Sequence, residues 1–210
     1  METTDRPCTA HAATELRFRA AGHDDLPAVV ALVESAYRGE ASRAGWTTEA
    51  DLLAGQRTSV ADIEPVLGRH RSRIMLAERD GSLVACAQVA VEEDAGYFGM
   101  FSVDPQRQGD GIGKLVLAEC ERIVRDEWHC PSMRMTVIDV RDALISFYQR
   151  RGYRRTGILK PFPYGDARFG LPLRDDLRFE VLEKTFRDSI GDSIGDSIGD
   201  SLGDTIGDAA

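Results

Sequence analysis

With 210 residues, 42% of them apolar and 29% charged, the chain is long enough for one substantial core and ordinary enough in composition to fold as a globular protein. Its formal charge of −9 is concentrated at one end: positions 188–210 hold six aspartates and no lysine or arginine, which leaves −3 elsewhere and gives no support for nucleic-acid binding. No run approaches a membrane span, and the first fifteen residues lack the basic flank and apolar centre of a secretion signal, so no membrane association and a cytoplasmic location are expected.

Positions 1–14 show no periodicity and are expected to form a mobile leader before a domain spanning 15–187. Leu16, Phe18 and Ala20 alternate with Glu15, Arg17 and Arg19, the pattern of a half-exposed first strand. Asp24 stands where it would cap a helix burying Leu26, Val29, Val30, Val33 and Tyr37. Thr48 with Asp51 reads as a capping box ahead of Leu52 and Leu53, and Ser59 with Asp62 as another ahead of Ile63, Val66 and Leu67. Positions 74–78 and 83–91 then read as two strands of a hairpin turned by Asp80-Gly81, which supplies the positive φ angles of a tight turn. Cys8, Cys86, Cys120 and Cys130 match no metal or redox spacing and read as reduced structural thiols; no metal site is expected.

The apolar run 97–103, stopped by Asp104-Pro105, has the length of a buried strand. After it, Gln108-Gly109-Asp110-Gly111-Ile112-Gly113 opens a helix with an apolar face of Ile112, Val116, Cys120, Ile123 and Val124. A glycine-rich strand-to-helix turn aims unpaired N–H groups and the positive end of a helix at one point, a site for phosphate. A Walker loop is excluded, because Gln108 stands where its first glycine belongs and Leu115 where its hydroxyl belongs; the dinucleotide fingerprint is excluded, because Lys114 replaces its third glycine. The remaining pattern, Gln-x-x-Gly-x-Gly at Gln108, Gly111 and Gly113, resembles the pyrophosphate loop of the GNAT (GCN5-related) N-acetyltransferase superfamily.

Downstream, Met133, Met135 and Val137 alternate as a strand, and 139–151 reads as a helix burying Leu144, Ile145, Phe147 and Tyr148, closed by Gly152. Positions 153–158 and 177–182 are the last strands. The helix that carries Tyr148 and ends in Arg-Gly-Tyr is similar to the GNAT segment bearing a tyrosine near the thioester sulfur, and the element order is the GNAT order from about 15 to about 185. By itself Tyr148 reads equally well as a core aromatic.

The resemblance implies an α/β (α+β mixed sheet) class with the GNAT acyl-CoA N-acyltransferase fold, a central mixed β-sheet flanked by helices. It implies an N-acetyltransferase that uses acetyl-CoA as acyl donor and a small-molecule primary amine as acceptor. Tyr148 would be the general acid, the backbone of Phe101 and Val103 would pair with the pantetheine arm, and the turn Gln108, Gly109, Asp110, Gly111, Ile112, Gly113 and Lys114 would hold the pyrophosphate. Alternatives are a non-catalytic acyl-CoA binder or sensor, or an enzyme for a protein or peptide amine; a monomer or homodimer is expected.

Two departures stand out. Some family members carry a glutamate base where Tyr97 stands, and a pantetheine-binding asparagine where Arg141 stands; Glu92 and Glu93 lie just upstream, and no base is assigned. Arg141 reads either as a ligand for an anionic substrate group or as part of a solvated face. Two segments, 37–46 and 160–172, flank the cleft in this fold, so Tyr37, Trp46, Phe162 and Tyr164 are the acceptor-pocket candidates, with packing under a loop as the equal alternative. Arg150, Arg151, Arg154 and Arg155 would meet the adenosine 3′-phosphate or merely solvate the surface. From position 188 a four-residue repeat of Asp, Ser, Ile and Gly is too glycine-rich for a helix, so an acidic disordered tail is expected over 188–210.

Overall fold

A computed structural model describes residues 15–186; positions 1–14 and 187–210, which include the expected leader, the expected tail and the last residue of the expected domain, lie outside the described residues. Its centre is a seven-stranded sheet built from β1 (Arg17–Ala20), β3 (Ser72–Arg79), β4 (Ser82–Glu92), β5 (Ala95–Val103), β6 (Ser132–Ile138), β9 (Arg178–Thr185) and β7 (Arg154–Pro161), in that spatial order. A separate two-stranded ribbon pairs β2 (Leu53–Ala54) with β8 (Leu171–Pro172). The helices are α1 (Leu26–Tyr37), α2 (Gly39–Ser42), α3 (Val60–Leu67), α4 (Ile112–Arg122) and α5 (Asp142–Gln149).

The sheet is covered on both faces, and β3 shows how. Ile74 and Leu76 point into a core with Leu26, Val29 and Val33 of α1 and Ile63 and Val66 of α3. Met75 and Ala77 point into the opposite core, with Ile112, Val116 and Cys120 of α4 and Ile145 and Tyr148 of α5. The period-two strand thus serves two layers of period-3.6 helices. A smaller cluster of Leu53, Ile138, Phe162 and Leu177 lies beneath the loop from β7 to β8.

The expected elements recur with two corrections. The first helix begins after a 3-10 turn, His23–Asp25, and Asp25 rather than Asp24 occupies its N-terminal boundary; the Asp25 carboxylate accepts from Gly22 N–H at 2.8 Å and from Arg19 at 2.7 Å. Thr48 and Asp51 cap no helix: Glu49 N–H bonds the Tyr37 carbonyl at 3.2 Å, Thr48 Oγ1 lies 2.7 Å from Ser42 Oγ, and the segment proceeds into β2. The second capping box is present as expected, Ser59 with Asp62, and the β3–β4 hairpin turns at Asp80 and Gly81 with φ of 55° and 72°.

Two features of β5 create the cleft. Between Cys86 and Gln88 the β4–β5 register shifts, so that Met100 and Phe101 together oppose Ala87, and Met100 takes a left-handed φ of 48°. This is a β-bulge, which twists and bends the strand that carries it. On the other side, β5 pairs in parallel with β6 only at Gly96↔Met133 and Tyr97↔Arg134. Past those two pairs the strands part, leaving a gap at the C-terminal half of β5. Close packing at the joined end depends on Gly96, since a Cβ there would lie 2.3 Å from Val124 Cγ1. No described helix is long and apolar enough to cross a membrane.

Candidate active site

At the end of β5, Asp104 Oδ1 accepts from Gln106 N–H at 2.9 Å and starts a 3-10 turn, Pro105–Arg107, that redirects the chain. Gln108 then locks the turn: its Nε2 donates to Thr47 Oγ1 at 2.8 Å and to the Val103 carbonyl at 3.2 Å, while its Oε1 accepts from Trp46 N–H at 2.9 Å. Gly109 and Gly111 have φ of 105° and 78°, left-handed values that glycine adopts without steric cost. Gly111 is the N-cap of α4 and offers no side chain to the first helical amides, which leaves those N–H groups free for an external anion.

This turn walls a cavity of about 300 Å³, together with Trp46, Phe101, Phe147 and the cationic side chains of Arg107, Lys114, Arg150 and Arg151. Oriented amides, a helix N-terminus and four cations suit a multiply charged phosphate group. Of the residues expected at the turn, Gln108, Gly109, Gly111, Ile112, Gly113 and Lys114 line this cavity, as do Phe101 and Val103. Asp110 does not; its carboxylate points to Arg79, 3.8 Å away. Arg154 and Arg155 do not line it either, and Arg155 instead pairs with Glu180 at 2.7 Å.

A second cavity, about 140 Å³, fills the gap between β5 and β6. Phe101 belongs to both walls, and Tyr37, Tyr97, Tyr148, Phe169 and Phe179 are among the aromatic residues of the second. The Tyr148 ring packs against Phe147, Tyr153 and Phe98 at centroid separations of 5.3, 5.9 and 6.4 Å. Its hydroxyl has no protein hydrogen-bond partner among the described residues. Burial raises the Tyr148 phenol well above its ordinary range, an effect that the Tyr37 side chain reinforces and the Arg141 charge opposes. The phenol is therefore firmly protonated at neutral pH, and its proton is harder to release than the ordinary values near 10 for tyrosine and about 8.5 for a thiol suggest.

The floor of this cavity is an ion network that no sequence pattern announced. Glu49, 7% exposed at its side chain, receives Arg38 Nη1 on Oε2 and Arg141 Nη1 on Oε1, each at 2.7 Å, and Arg57 Nε stands 3.9 Å away. Arg141 also donates to the Thr47 carbonyl. It is thus neither on a solvated face nor simply poised for a ligand, but holds the start of α5 against the 46–49 loop. Burial alone would raise the Glu49 carboxyl; Arg141, Arg57 and Arg38 more than offset it, so Glu49 stays ionised and is unsuited to act as a base. The guanidinium groups of Arg57 and Arg141 each lie 5.7 Å from the Tyr37 ring centroid, and the Tyr37 hydroxyl donates to the Phe101 carbonyl at the bulge.

The four acceptor candidates separate. Tyr37 lines the second cavity, whereas Trp46 lines the first, its ring 5.7 Å from that of Phe147 and tilted by 46°. Phe162 and Tyr164 line neither. Phe162 is buried in the small cluster under the loop, and Tyr164 Oη accepts from Leu177 N–H at 2.7 Å. The 160–172 segment instead contributes Phe169, propped against Phe162 at 6.5 Å. Glu92 and Glu93 line a third cavity on the far side of Tyr97, whose phenol is raised by burial and by the Glu92 charge. Among the described residues no cluster of His, Cys, Asp and Glu could hold a metal ion.

Comparison with known proteins agrees with this fold. The profile of the Acetyltransferase (GNAT) family matches residues 31–153, more than half of the chain. The ribosomal-protein-S18-alanine N-acetyltransferase of Escherichia coli superposes with a TM-score of 0.61 at 15% identity, over 88% of this chain and 99% of that one. A spermidine N-acetyltransferase chimera from Vibrio cholerae and hSSAT gives 0.59 at 13% identity, over 82% and 96%. A Bacillus anthracis protein assigned as a streptothricin acetyltransferase, solved in complex with acetyl coenzyme A, gives 0.50 at 16% identity, over 59% and 68%. The chain belongs to the GNAT acetyltransferase family and is an acetyl-CoA-dependent N-acyltransferase.

Proposed function

We propose that the protein moves an acetyl group from acetyl-CoA to the primary amine of a small molecule by direct attack, with Tyr148 as general acid. The observation that carries this reading is the shared Phe101 wall: the phosphate-suited cavity at the glycine turn and the cavity holding Tyr148 meet at one bulged strand. The diphosphate of the donor would lie on the amides between Gly109 and Lys114, with Arg107, Arg150 and Arg151 around it. Its pantetheine arm would then run past Phe101 and Phe147 toward Tyr148.

The neutral amine attacks the thioester carbon, forming the C–N bond and a tetrahedral intermediate. The C–S bond then breaks, and the sulfur takes a proton from the Tyr148 hydroxyl; the proton lost by the amine passes to solvent, and the phenolate regains one from solvent to close the cycle. Because burial makes Tyr148 a weak acid, its proton would move as the C–S bond breaks rather than before, and the Arg141 charge would stabilise the transient phenolate. Enclosure of the second cavity by aromatic side chains and by the 160–172 segment favours a small acceptor over an extended chain. The test is free-thiol release from acetyl-CoA across a panel of small amines. Release with at least one of them supports the reading, and tight acetyl-CoA binding with no release for any amine would mark an acyl-CoA binder instead.

A further inference from the structure

We infer that the acceptor carries a carboxylate as well as its amine, and that Arg57, backed by Arg141, binds that carboxylate in the cavity lined by Tyr148. The inference rests on the acetyltransfer reading above and specifies its substrate class.

The argument begins with charge. Arg38, Arg57 and Arg141 converge on one carboxylate, Glu49, whose two oxygens are already taken at 2.7 Å by Arg38 and Arg141. Arg57, at 3.9 Å from Glu49, is beyond hydrogen-bond reach, and among the described residues its guanidinium donates to no oxygen. Glu34 is the other acid nearby, but its Oε1 is occupied by the backbone N–H groups of Arg57 and Thr58 at 2.6 and 2.8 Å. Arg38 is 7% exposed and its Nε and Nη2 have no partner among the described residues. Three guanidinium groups therefore converge on the single carboxylate of Glu49, and that of Arg57 is left without a hydrogen-bonded acid.

Geometry says where the surplus is directed. Arg57 and Arg141 line the 140 Å³ cavity, and Arg38 does not. Glu34 fixes the Arg57 backbone just before α3, so its side chain is presented from an anchored point, against the Tyr37 ring. A planar guanidinium, one-third exposed and with no acid within hydrogen-bond distance, suits a bidentate carboxylate. Glu49 also lines the cavity, with both oxygens engaged by Arg38 and Arg141, and the wall includes Tyr97, Phe98, Phe101, Phe169 and Phe179, which would receive an apolar body. At about 140 Å³ the cavity is below the roughly 300–1,000 Å³ usual for ligand pockets, so the portion of acceptor held there is small.

The experiment uses the full chain and matched acceptors: α-amino acids such as leucine and phenylalanine, the amines lacking their carboxylate, and the corresponding aminophosphonates. Thiol release from acetyl-CoA is followed at varied acceptor. The expected result is a kcat/KM for the amino acid about 10- to 100-fold above that of its matched amine, carried by KM. In Arg57→Gln that ratio falls toward one, and in Arg57→Lys it recovers in part. A phosphonate outranking the carboxylate would overturn the assignment of the carboxylate. Equal kcat/KM for both members of each pair in the unsubstituted protein, or an Arg57→Gln that lowers both equally, would overturn the inference while leaving acetyltransfer intact. Absence of thiol release with every acceptor would overturn the proposed activity and this inference with it.

Discussion

Arg141 and Glu49 lie 92 positions apart in sequence, yet their side chains meet at 2.7 Å beneath the cavity that holds Tyr148. The contact ties α5, which carries Tyr148, to the loop that also supplies Thr47 and Trp46 to the glycine-turn cavity. Replacing Glu49 by Gln or Ala removes the one carboxylate between two buried cations. Breaking a buried pair in this way costs roughly 3–5 kcal/mol. Denaturant unfolding of Glu49→Ala should show a loss of that order, and Glu49→Gln, which keeps the shape and some hydrogen bonding, a smaller one. A loss under about 0.5 kcal/mol in both, the size usual for a surface change, would show that the network carries no structural weight.

Acid sensitivity should arise partly at β1. Arg19 donates to both Asp25 oxygens at 2.7 Å and, with the Gly22 N–H, lowers that carboxyl to about 2, against burial that raises it. A carboxyl depressed in the folded state stabilises above its unfolded value of about 3.9, and the contribution fades as pH falls through that value toward 2. Thermal unfolding of Asp25→Asn should therefore lie below that of the unsubstituted protein at pH 7 and approach it between pH 4 and 2. Parallel curves over that interval would exclude Asp25 as a contributor.

Close approach at Gly96 gives a stability test independent of charge. A Cβ there would stand 2.3 and 2.8 Å from the two γ-methyl groups of Val124, a residue with no exposure at all. Overpacking of this kind typically costs 1–3 kcal/mol, so Gly96→Ala should lower stability by about that amount. Val124→Ala in the same chain should restore part of it, because the clash is with that side chain and not with backbone. Failure of the second change to restore anything would place the strain elsewhere.

The fold was legible because its signals are local and periodic. Alternation at Met133, Met135 and Val137, the helical stripe from Ile112 to Val124 and the Asp80-Gly81 turn each report on neighbours a few residues away, and all three recur in the structure. The glycine turn was legible for the same reason, since its demand on φ falls on Gly109 and Gly111 themselves. The ion network was not, because Arg38, Glu49, Arg57 and Arg141 belong to four different segments and nothing in their spacing distinguishes them from surface charges. The false helix start at Thr48 has the same origin: its side chain is engaged by Ser42 and the next residue is drawn into a buried ion pair, so tertiary contacts override a local capping pattern. Phe169 is indistinguishable in sequence from Phe162 and Tyr164, because three aromatics in one loop look alike until the loop is folded over β9 and only one of them reaches the cavity.

Tyr148 decides between chemistry and packing, and its two roles predict different measurements. The ring is buried among Phe98, Phe147 and Tyr153, so phenylalanine fits the same space without its hydroxyl, and stability should change little. Positioned general acids contribute typically 10²–10⁴-fold, so kcat of Tyr148→Phe should fall by about that factor. The Kd for acetyl-CoA should stay within about threefold, because the phosphate contacts expected at the glycine turn and at Arg107, Arg150 and Arg151 lie in the other cavity. Burial keeps the phenol protonated well past neutrality, so kcat of the unsubstituted enzyme should show no loss from tyrosine ionisation up to about pH 9. A Tyr148→Phe enzyme with undiminished kcat would assign Tyr148 to the aromatic core alone, and the proton for the departing thiolate would then have to come from solvent.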